Sequence, residues 1–195
     1  MKRQLIAVAA ACAFAAPAMA AQGDNFIDGF YVPWYEADFG AGDDDGNDFG
    51  LKGAVKVGEP IYLTGEYQSV ELDDTDLDID ELRLGVGLGD GAGARGAGLY
   101  GRLQYMDLDL DVDDDDGMVA HVGYALPVSP QLRLHGEAGY VLLSDVDGPE
   151  LLAGATYQFA PNLAGFADFR ASYLDVDNGG DLDLSQFRVG ARFTF

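Results

Sequence analysis

Two histidines, His121 and His135, and a large excess of carboxylates are the side chains of this sequence that could do chemistry. A histidine pair beside a carboxylate can bind a metal ion or respond to pH. A turn at residues 127–129 would place His121 directly opposite His135, with Arg133 and Glu137 beside them. The alternative interpretation is a hydrogen-bonded pair that only fills the interior.

The aspartates invite a calcium interpretation, but their spacing completes no known site. The run from Asp175 to Gly180 resembles the first half of an EF-hand loop. The position of its closing glutamate is Gln186, so the match fails. We therefore predict no cofactor and no specific metal site, with Ca²⁺ or Mg²⁺ held loosely at most. The weak candidate ligands are Asp107, Asp109, Asp111, Asp175 and Asp177.

Residues 1–20 have the pattern of a cleaved secretory signal. Lys2 and Arg3 precede an apolar stretch that is too short to cross a bilayer as a helix, and Ala18-Met19-Ala20 is the expected cleavage site. The only cysteine, Cys12, lies in this segment, so no thiol chemistry is expected in residues 21–195. Residues 21–195, the single domain expected after the signal, would hold all 34 acidic residues and nine basic ones, and this negative charge argues against nucleic acid as a partner.

Long acidic loops alternate with short connections along residues 21–195. This is the layout of an up-and-down barrel with its long loops outside and its short turns in the periplasm. The fold class predicted is all-β, an antiparallel up-and-down transmembrane β-barrel. Its ten strands are expected at 26–39, 49–57, 61–71, 81–88, 97–106, 118–126, 131–143, 150–159, 163–174 and 184–195.

The first strand is ambiguous. Either Ile27, Tyr31 and Tyr35 or the set Phe26, Phe30, Val32 and Trp34 could face outward. Pro33 suits a sheet edge or a bulge, because proline cannot donate to the ladder. A barrel of eight strands is therefore the alternative.

The other strands alternate between an apolar and a polar face with a period of two. Eight of the nine basic residues beyond the signal fall on the polar face, as expected if the apolar face meets lipid. Aromatic side chains near both strand ends predict two interfacial girdles. Their members are Phe49, Tyr67, Tyr105, Tyr140, Tyr173 and Phe187 at the loop end, and Tyr124, Tyr157, Phe159, Phe193 and Phe195 at the other end.

The polar faces would line an interior that, in a barrel this small, is nearly filled by side chains. A turn at residues 58–60 places Lys52 opposite Glu66, and a salt bridge between them is expected. Dense pairing would favour a filled lumen, whereas an unpaired line of basic residues would favour a narrow ion path. The predicted charge network is Lys52, Lys56, Glu66, Glu81, Arg83, Arg102, Arg133, Glu137, Asp168, Arg170, Arg188 and Arg192.

The signal segment, the alternating strands, the acidic loops and the final segment Phe187–Phe195 resemble the small outer-membrane β-barrels of the OmpA/OmpX-like class. The resemblance implies export to the outer membrane of a Gram-negative bacterium and contact with lipopolysaccharide. It also implies that Phe195 is an assembly signal for the barrel-assembly machinery. The chain departs from the smallest members of the class, which have eight strands.

Beyond the tyrosines the alternation continues with inverted polarity. After Tyr105, Asp107 would face outward while Met106 and Leu108 would face inward. Above a bilayer the outer wall of a barrel meets water, so carboxylates face out and apolar groups face in. We expect the strands to extend past the membrane around a small apolar core, which would close the lumen or form an apolar entrance.

These features predict a barrel with a filled lumen and a structural or surface-interaction role, and not an enzyme. A narrow porin-like channel or small-solute passage protein is the alternative. A weaker one is a rim hydrolase of the omptin type, which uses acidic residues and a histidine near the outer rim. His121 and His135 fall at mid-barrel by strand count, and no Gly-x-Ser-x-Gly motif is present.

Overall fold

The computed structural model describes residues 24–38, 43–73, 78–109, 114–176 and 180–195. The predicted signal, Asp111 and Asp177 lie outside the described residues. The strands are β1 (Phe26–Asp38), β2 (Asp43–Gly58), β3 (Ile61–Leu72), β4 (Asp78–Leu88), β5 (Gly98–Asp109), β6 (Asp114–Pro127), β7 (Leu132–Leu143), β8 (Val146–Ala160), β9 (Leu163–Val176) and β10 (Asp181–Thr194). A single 3-10 turn, Asp90–Ala92, lies between β4 and β5.

The strands form one closed sheet. Each strand pairs antiparallel with its neighbours in sequence, and β1 pairs with β10, so the barrel has no free edge. The prediction of ten strands is confirmed, and the alternative of eight is wrong. Among the described residues, no helix is long and apolar enough to cross a membrane.

A bulge at Pro33 resolves the ambiguity of β1. Pairing with β10 shifts between Tyr31 and Trp34, and pairing with β2 shifts between Val32 and Tyr35. Phe30 and Val32 therefore face inward, but beyond the bulge Trp34 faces outward and Tyr35 inward. Each of the two predicted faces holds for one half of the strand, because proline interrupts the ladder and the extra residue reverses the alternation.

The predicted opposition of His121 and His135 is wrong. His121 pairs with Gly139, and His135 pairs with Ala125. The turn between β6 and β7 comprises residues 128–131, because Pro127 stays paired with Arg133 and Val128 N donates to Leu132 O at 2.8 Å. The longer turn separates the two histidines by four residues, or about 13 Å along the strands.

The outer wall is apolar around its middle. Nine of the eleven predicted girdle residues are exposed, and the other two, Tyr67 and Phe195, are partly buried. Trp34 joins the girdle at the loop end and stacks on Phe169, with 6.0 Å between ring centroids. The inward side chains form three layers along the barrel axis: an apolar cluster at the loop end, a charged middle, and a folded turn at the opposite end.

Candidate functional site

The middle of the barrel holds a continuous chain of ion pairs. In order, it runs Glu150, Arg83, Glu81, Arg170, Glu66, Arg188, Asp168, Lys52, Asp28 and Arg192, so that five cations alternate with five carboxylates. Residues from seven strands contribute, because each inward position of a small barrel faces the others across the lumen.

Two bidentate pairs form the ends of this chain. Arg83 donates to both carboxylate oxygens of Glu150, at 2.7 and 2.8 Å. Arg192 donates to both oxygens of Asp28, at 2.8 and 2.7 Å. The planar guanidinium matches the carboxylate in this geometry, so these contacts are among the stronger kinds of hydrogen bond.

Shared carboxylates connect the two ends. Glu66 accepts from both Arg170 and Arg188, the latter at 2.7 Å. Asp168 accepts from Arg188 and from Lys52, the latter at 2.7 Å. Each charge of this ten-residue chain thus has an opposite charge in contact, which is the condition under which buried ions are tolerated.

Two smaller groups flank the chain. Glu137 accepts from Arg102 and from Tyr100, the latter at 2.8 Å. Lys56 lies at the end opposite the loops and contacts Asp24 at 3.2 Å and Glu59 at 3.3 Å. All twelve residues of the predicted network therefore face the interior or its mouth.

The predicted salt bridge between Lys52 and Glu66 is wrong, although their register is as expected. Glu66 is occupied by two arginines, and Lys52 reaches Asp168 instead. Pairing across the lumen replaces pairing along the hairpin, because the interior is narrow enough for long side chains to span it.

Sequence reasoning missed Asp28 and Glu150, which are both buried parts of the chain. Asp28 lies on the ambiguous first strand, and Glu150 follows Pro149 at the edge of an acidic loop. The signal that could have found Asp28 is its place opposite Arg192 once β1 is paired with β10.

His121 is part of the charged layer and is not a rim residue. It is 3% exposed, and its Nε2 lies 2.9 Å from Glu150 Oε1. Glu150 also accepts from Ser172 Oγ at 2.8 Å. His135 lies nearer the opposite end of the lumen and lines a cavity there. The two histidines therefore do not form one site.

The connection between β4 and β5, residues 89–97, folds into the end of the barrel opposite the acidic loops. We call it the mouth turn. Gly91, Gly93 and Ala94 are buried, and a Cβ at Gly91 would approach Tyr100 to 2.4 Å. Glycines with positive φ lie at its first residue, Gly89 (104°), and directly after it, at Gly98 (98°), a conformation that other residues rarely adopt.

Arg133 holds the mouth turn in place. Its Nε donates to Gly96 O at 3.0 Å, and its Nη2 donates to Gly91 O at 2.6 Å. The backbone of Ala94 donates to Asp24 O at 3.0 Å, which ties the turn to the start of β1. The turn therefore closes much of this end of the lumen.

An apolar cluster fills the loop end, as the inverted alternation predicted. Sixteen buried residues form it. They include Met106, Leu108, Ile79, Leu174 and Leu182, all on the inward side of strands whose outward positions carry aspartates. Asp109, which was expected to face outward, is also buried. Most of the cluster lies between the charged chain and the acidic loops, but Phe30 and Phe166 lie among the charges, with Lys52 Nζ at 5.7 and 4.2 Å from their ring centroids.

The described residues of the acidic rim around this cluster form no metal centre. No group of three or more histidine, cysteine, aspartate or glutamate residues within the described parts of the chain could hold a metal ion. Burial raises the pKa of Asp183, and the nearby charges of Asp38, Asp181 and Asp175 raise it further. The carboxylates of the rim therefore repel one another at neutral pH.

Comparisons with known proteins support the fold. No family model matches the chain, and no curated protein matches it. Among solved structures, it is similar to neisserial surface protein A, with a TM-score of 0.50 and 13% identity over 88% of this chain and 97% of that chain. A weaker likeness is to Ail, the attachment invasion locus protein of Yersinia pestis, with a TM-score of 0.40 and 13% identity over 89% of this chain and 99% of that one. The first likeness confirms the fold of a small outer-membrane β-barrel.

Proposed function

We propose that this chain is an outer-membrane β-barrel with a closed lumen, and that it has a structural or surface-interaction role through its acidic loop end. The proposal includes export through residues 1–20 and recognition of Phe195 by the barrel-assembly machinery. The observation that carries it is the alternating chain of ten paired charges between an apolar cluster and the mouth turn.

The apolar surface of the outer wall supports insertion of the barrel in a membrane. Between the two girdles, every described outward-facing strand residue is apolar, glycine or tyrosine, and none is charged. Water-soluble monomers rarely expose apolar patches larger than a few hundred Å². The seven to nine residues between the girdles span about 23–30 Å along a strand, close to the length that a tilted membrane strand needs.

The charge distribution supports a fixed orientation. The segments 36–48, 71–80, 107–116, 145–147 and 175–183 hold 25 of the 34 acidic residues and no lysine or arginine. These segments all lie at the loop end, which we assign to the cell exterior. Partners that suit this surface are cationic, such as a basic protein surface or divalent cations that bridge to lipopolysaccharide phosphates.

Paired charges are a reason to prefer this role over a channel. An ion path needs charged groups that solvent can reach, whereas Arg83, Arg170 and Arg188 are buried and each contacts a carboxylate. We also propose no enzymatic role, because His121 is buried below the apolar cluster rather than at the rim.

The test is the conductance of the folded protein in a planar bilayer, with Arg102→Ala, Arg133→Ala and the exposed Arg95→Ala alongside. We expect a folded barrel that gives no unitary current steps. Stable steps whose ion selectivity shifts in the Arg102 and Arg133 variants, but not in the Arg95 variant, would instead make the protein a narrow channel.

A further inference from the structure

The charged side chains between the apolar cluster and the mouth turn do not balance. Among the described residues of this layer, seven cations face six carboxylates, while the buried Asp44 and Asp109 lie beyond the cluster at the loop end. The cations are Lys52, Arg83, Arg102, Arg133, Arg170, Arg188 and Arg192, and the carboxylates are Asp28, Glu66, Glu81, Glu137, Glu150 and Asp168. Six of these cations lie within 4.0 Å of a carboxylate, and Arg133 is the exception.

Arg133 uses only part of its hydrogen-bonding capacity. It donates to two backbone carbonyls of the mouth turn, Gly96 O and Gly91 O, while a guanidinium carries five N–H donors. Backbone carbonyls do not neutralise its charge. Arg133 is partly buried, and a charge that is partly withdrawn from water without an opposite charge in contact is costly, so an anion close to Arg133 would stabilise the fold.

A cavity of about 60 Å³ lies next to Arg133. The cations Lys52, Arg102, Arg188 and Arg192 also line it, against only two carboxylates, Glu66 and Glu137, and His135 lines it as well. Three buried polar atoms of the lining residues make no hydrogen bond to any described residue: the nitrogens His135 Nδ1 and Arg102 Nε, and the oxygen Gln104 Oε1. The cavity thus combines an excess of positive charge with nitrogens that lack partners.

The volume of the cavity and the charge around it limit the size and charge of the ligand that it can bind. A volume of 60 Å³, at about 10–15 Å³ for each water by the same measure, holds about four to six water molecules, which is enough for a halide with a few waters or for a small oxyanion. The excess of one positive charge is neutralised by one monovalent anion, whereas a divalent anion would leave an equal excess of the opposite sign.

We propose that this cavity binds one small monovalent anion, chloride-like in size, which supplies the charge missing opposite Arg133. The anion would complete the ionic filling of the lumen and help to hold the mouth turn against the barrel. The inference goes beyond the closed lumen proposed above, and the two fail separately: current steps would contradict the closed lumen, and stability indifferent to chloride would contradict the anion site.

The experiment compares chloride with gluconate, an anion too large for the cavity, at constant ionic strength. The protein is produced with its own signal segment, purified in detergent and unfolded with urea. Chloride at ten times its dissociation constant should multiply the folded-to-unfolded ratio about elevenfold relative to gluconate. Crystals grown in bromide should show one anomalous peak beside Arg133.

Two variants remove the need for the anion in different ways. Arg133→Gln removes the unpaired charge. Gln104→Glu adds a seventh carboxylate without a change in shape, since Gln104 is buried and lines the same cavity. Both should lose the difference between chloride and gluconate, while Arg95→Gln, at an exposed position of the mouth turn, should keep it.

Equal stability of the unchanged protein in chloride and gluconate, with no bromide peak in the cavity, would overturn the proposal. A chloride effect that persists unchanged in both Arg133→Gln and Gln104→Glu would also overturn it, because the anion would then bind elsewhere. If Arg133→Gln fails to fold, Gln104→Glu alone decides, since it keeps every existing ion pair.

Discussion

The bidentate pair of Arg83 and Glu150 gives the sharpest prediction of stability. Both side chains are buried, and their two hydrogen bonds measure 2.7 and 2.8 Å. Glu150→Gln keeps the shape of the side chain but removes its charge, so Arg83 retains only Glu81 as an anionic partner. Arg83→Met keeps much of the volume and leaves Glu150 with His121, Ser172 and the more distant Arg170.

Each single change should lower the free energy of unfolding by about 3–5 kcal/mol, because it leaves a buried charge without its main partner. The double variant should cost less than the sum of the two. Coupling energies of about 1.5–7 kcal/mol are typical of close charge pairs that water does not reach. This pair does not line the cavity beside Arg133, so the result is independent of the proposed anion site.

Urea unfolding followed by tryptophan fluorescence measures these values, since Trp34 is the only tryptophan in the chain. Arg95→Gln is the control for loss of one arginine and should change stability by less than about 0.5 kcal/mol. Single-variant losses below about 1 kcal/mol with no coupling would refute the reasoning, because they would mean that water screens the pair.

Three further perturbations test other layers of the barrel. Leu103→Arg places a charge on the outward band and should cost about 2–4 kcal/mol in lipid, measured by unfolding from vesicles; an unchanged stability would contradict membrane contact there. Because the folded-state pKa of Asp183 is raised, its charged form destabilises the fold at neutral pH, and that cost disappears as pH falls through this pKa. Asp183→Asn should therefore raise the urea midpoint at neutral pH but not at acidic pH, whereas an equal effect at both would exclude charge repulsion as the cause. Deletion of Pro33 removes the extra residue of the bulge and leaves a regular alternation in which Val32 faces inward, Trp34 outward and Tyr35 inward, so we expect this variant and Pro33→Ala both to fold; loss of folding in the deletion variant alone would show that the bulge itself is required.

Much of the fold could be predicted because a barrel in lipid imposes strict rules on sequence. The period of two, the even number of strands and the inward placement of the basic residues follow from the cost of exposing charge or unpaired backbone to lipid. The inverted alternation beyond Tyr105 predicted the apolar cluster for the same reason, since the outer wall there meets water.

The contacts inside the lumen could not be predicted from local pattern. Cross-strand register correctly places Lys52 opposite Glu66, but the choice of partner depends on arginines from β9 and β10 that reach across the interior. The register of β6 and β7 depends on where the chain turns after Pro127, which the sequence leaves open by several residues. The folding of residues 89–97 into the barrel depends on packing against Tyr62 and Tyr100, which lie on other strands.

Cysteine accessibility tests the closed lumen most directly, because residues 21–195 contain no cysteine. Single substitutions are made at the rim (Asp107→Cys), on the outward band (Leu103→Cys) and in the interior (Gln104→Cys), and the protein in vesicles is treated with a small water-soluble thiol reagent. We predict rapid reaction at the rim and none at the band or in the interior until urea unfolds the barrel. Rapid reaction of the interior cysteine in the folded protein, with the band cysteine still unreactive, would contradict the account and show a lumen open to water.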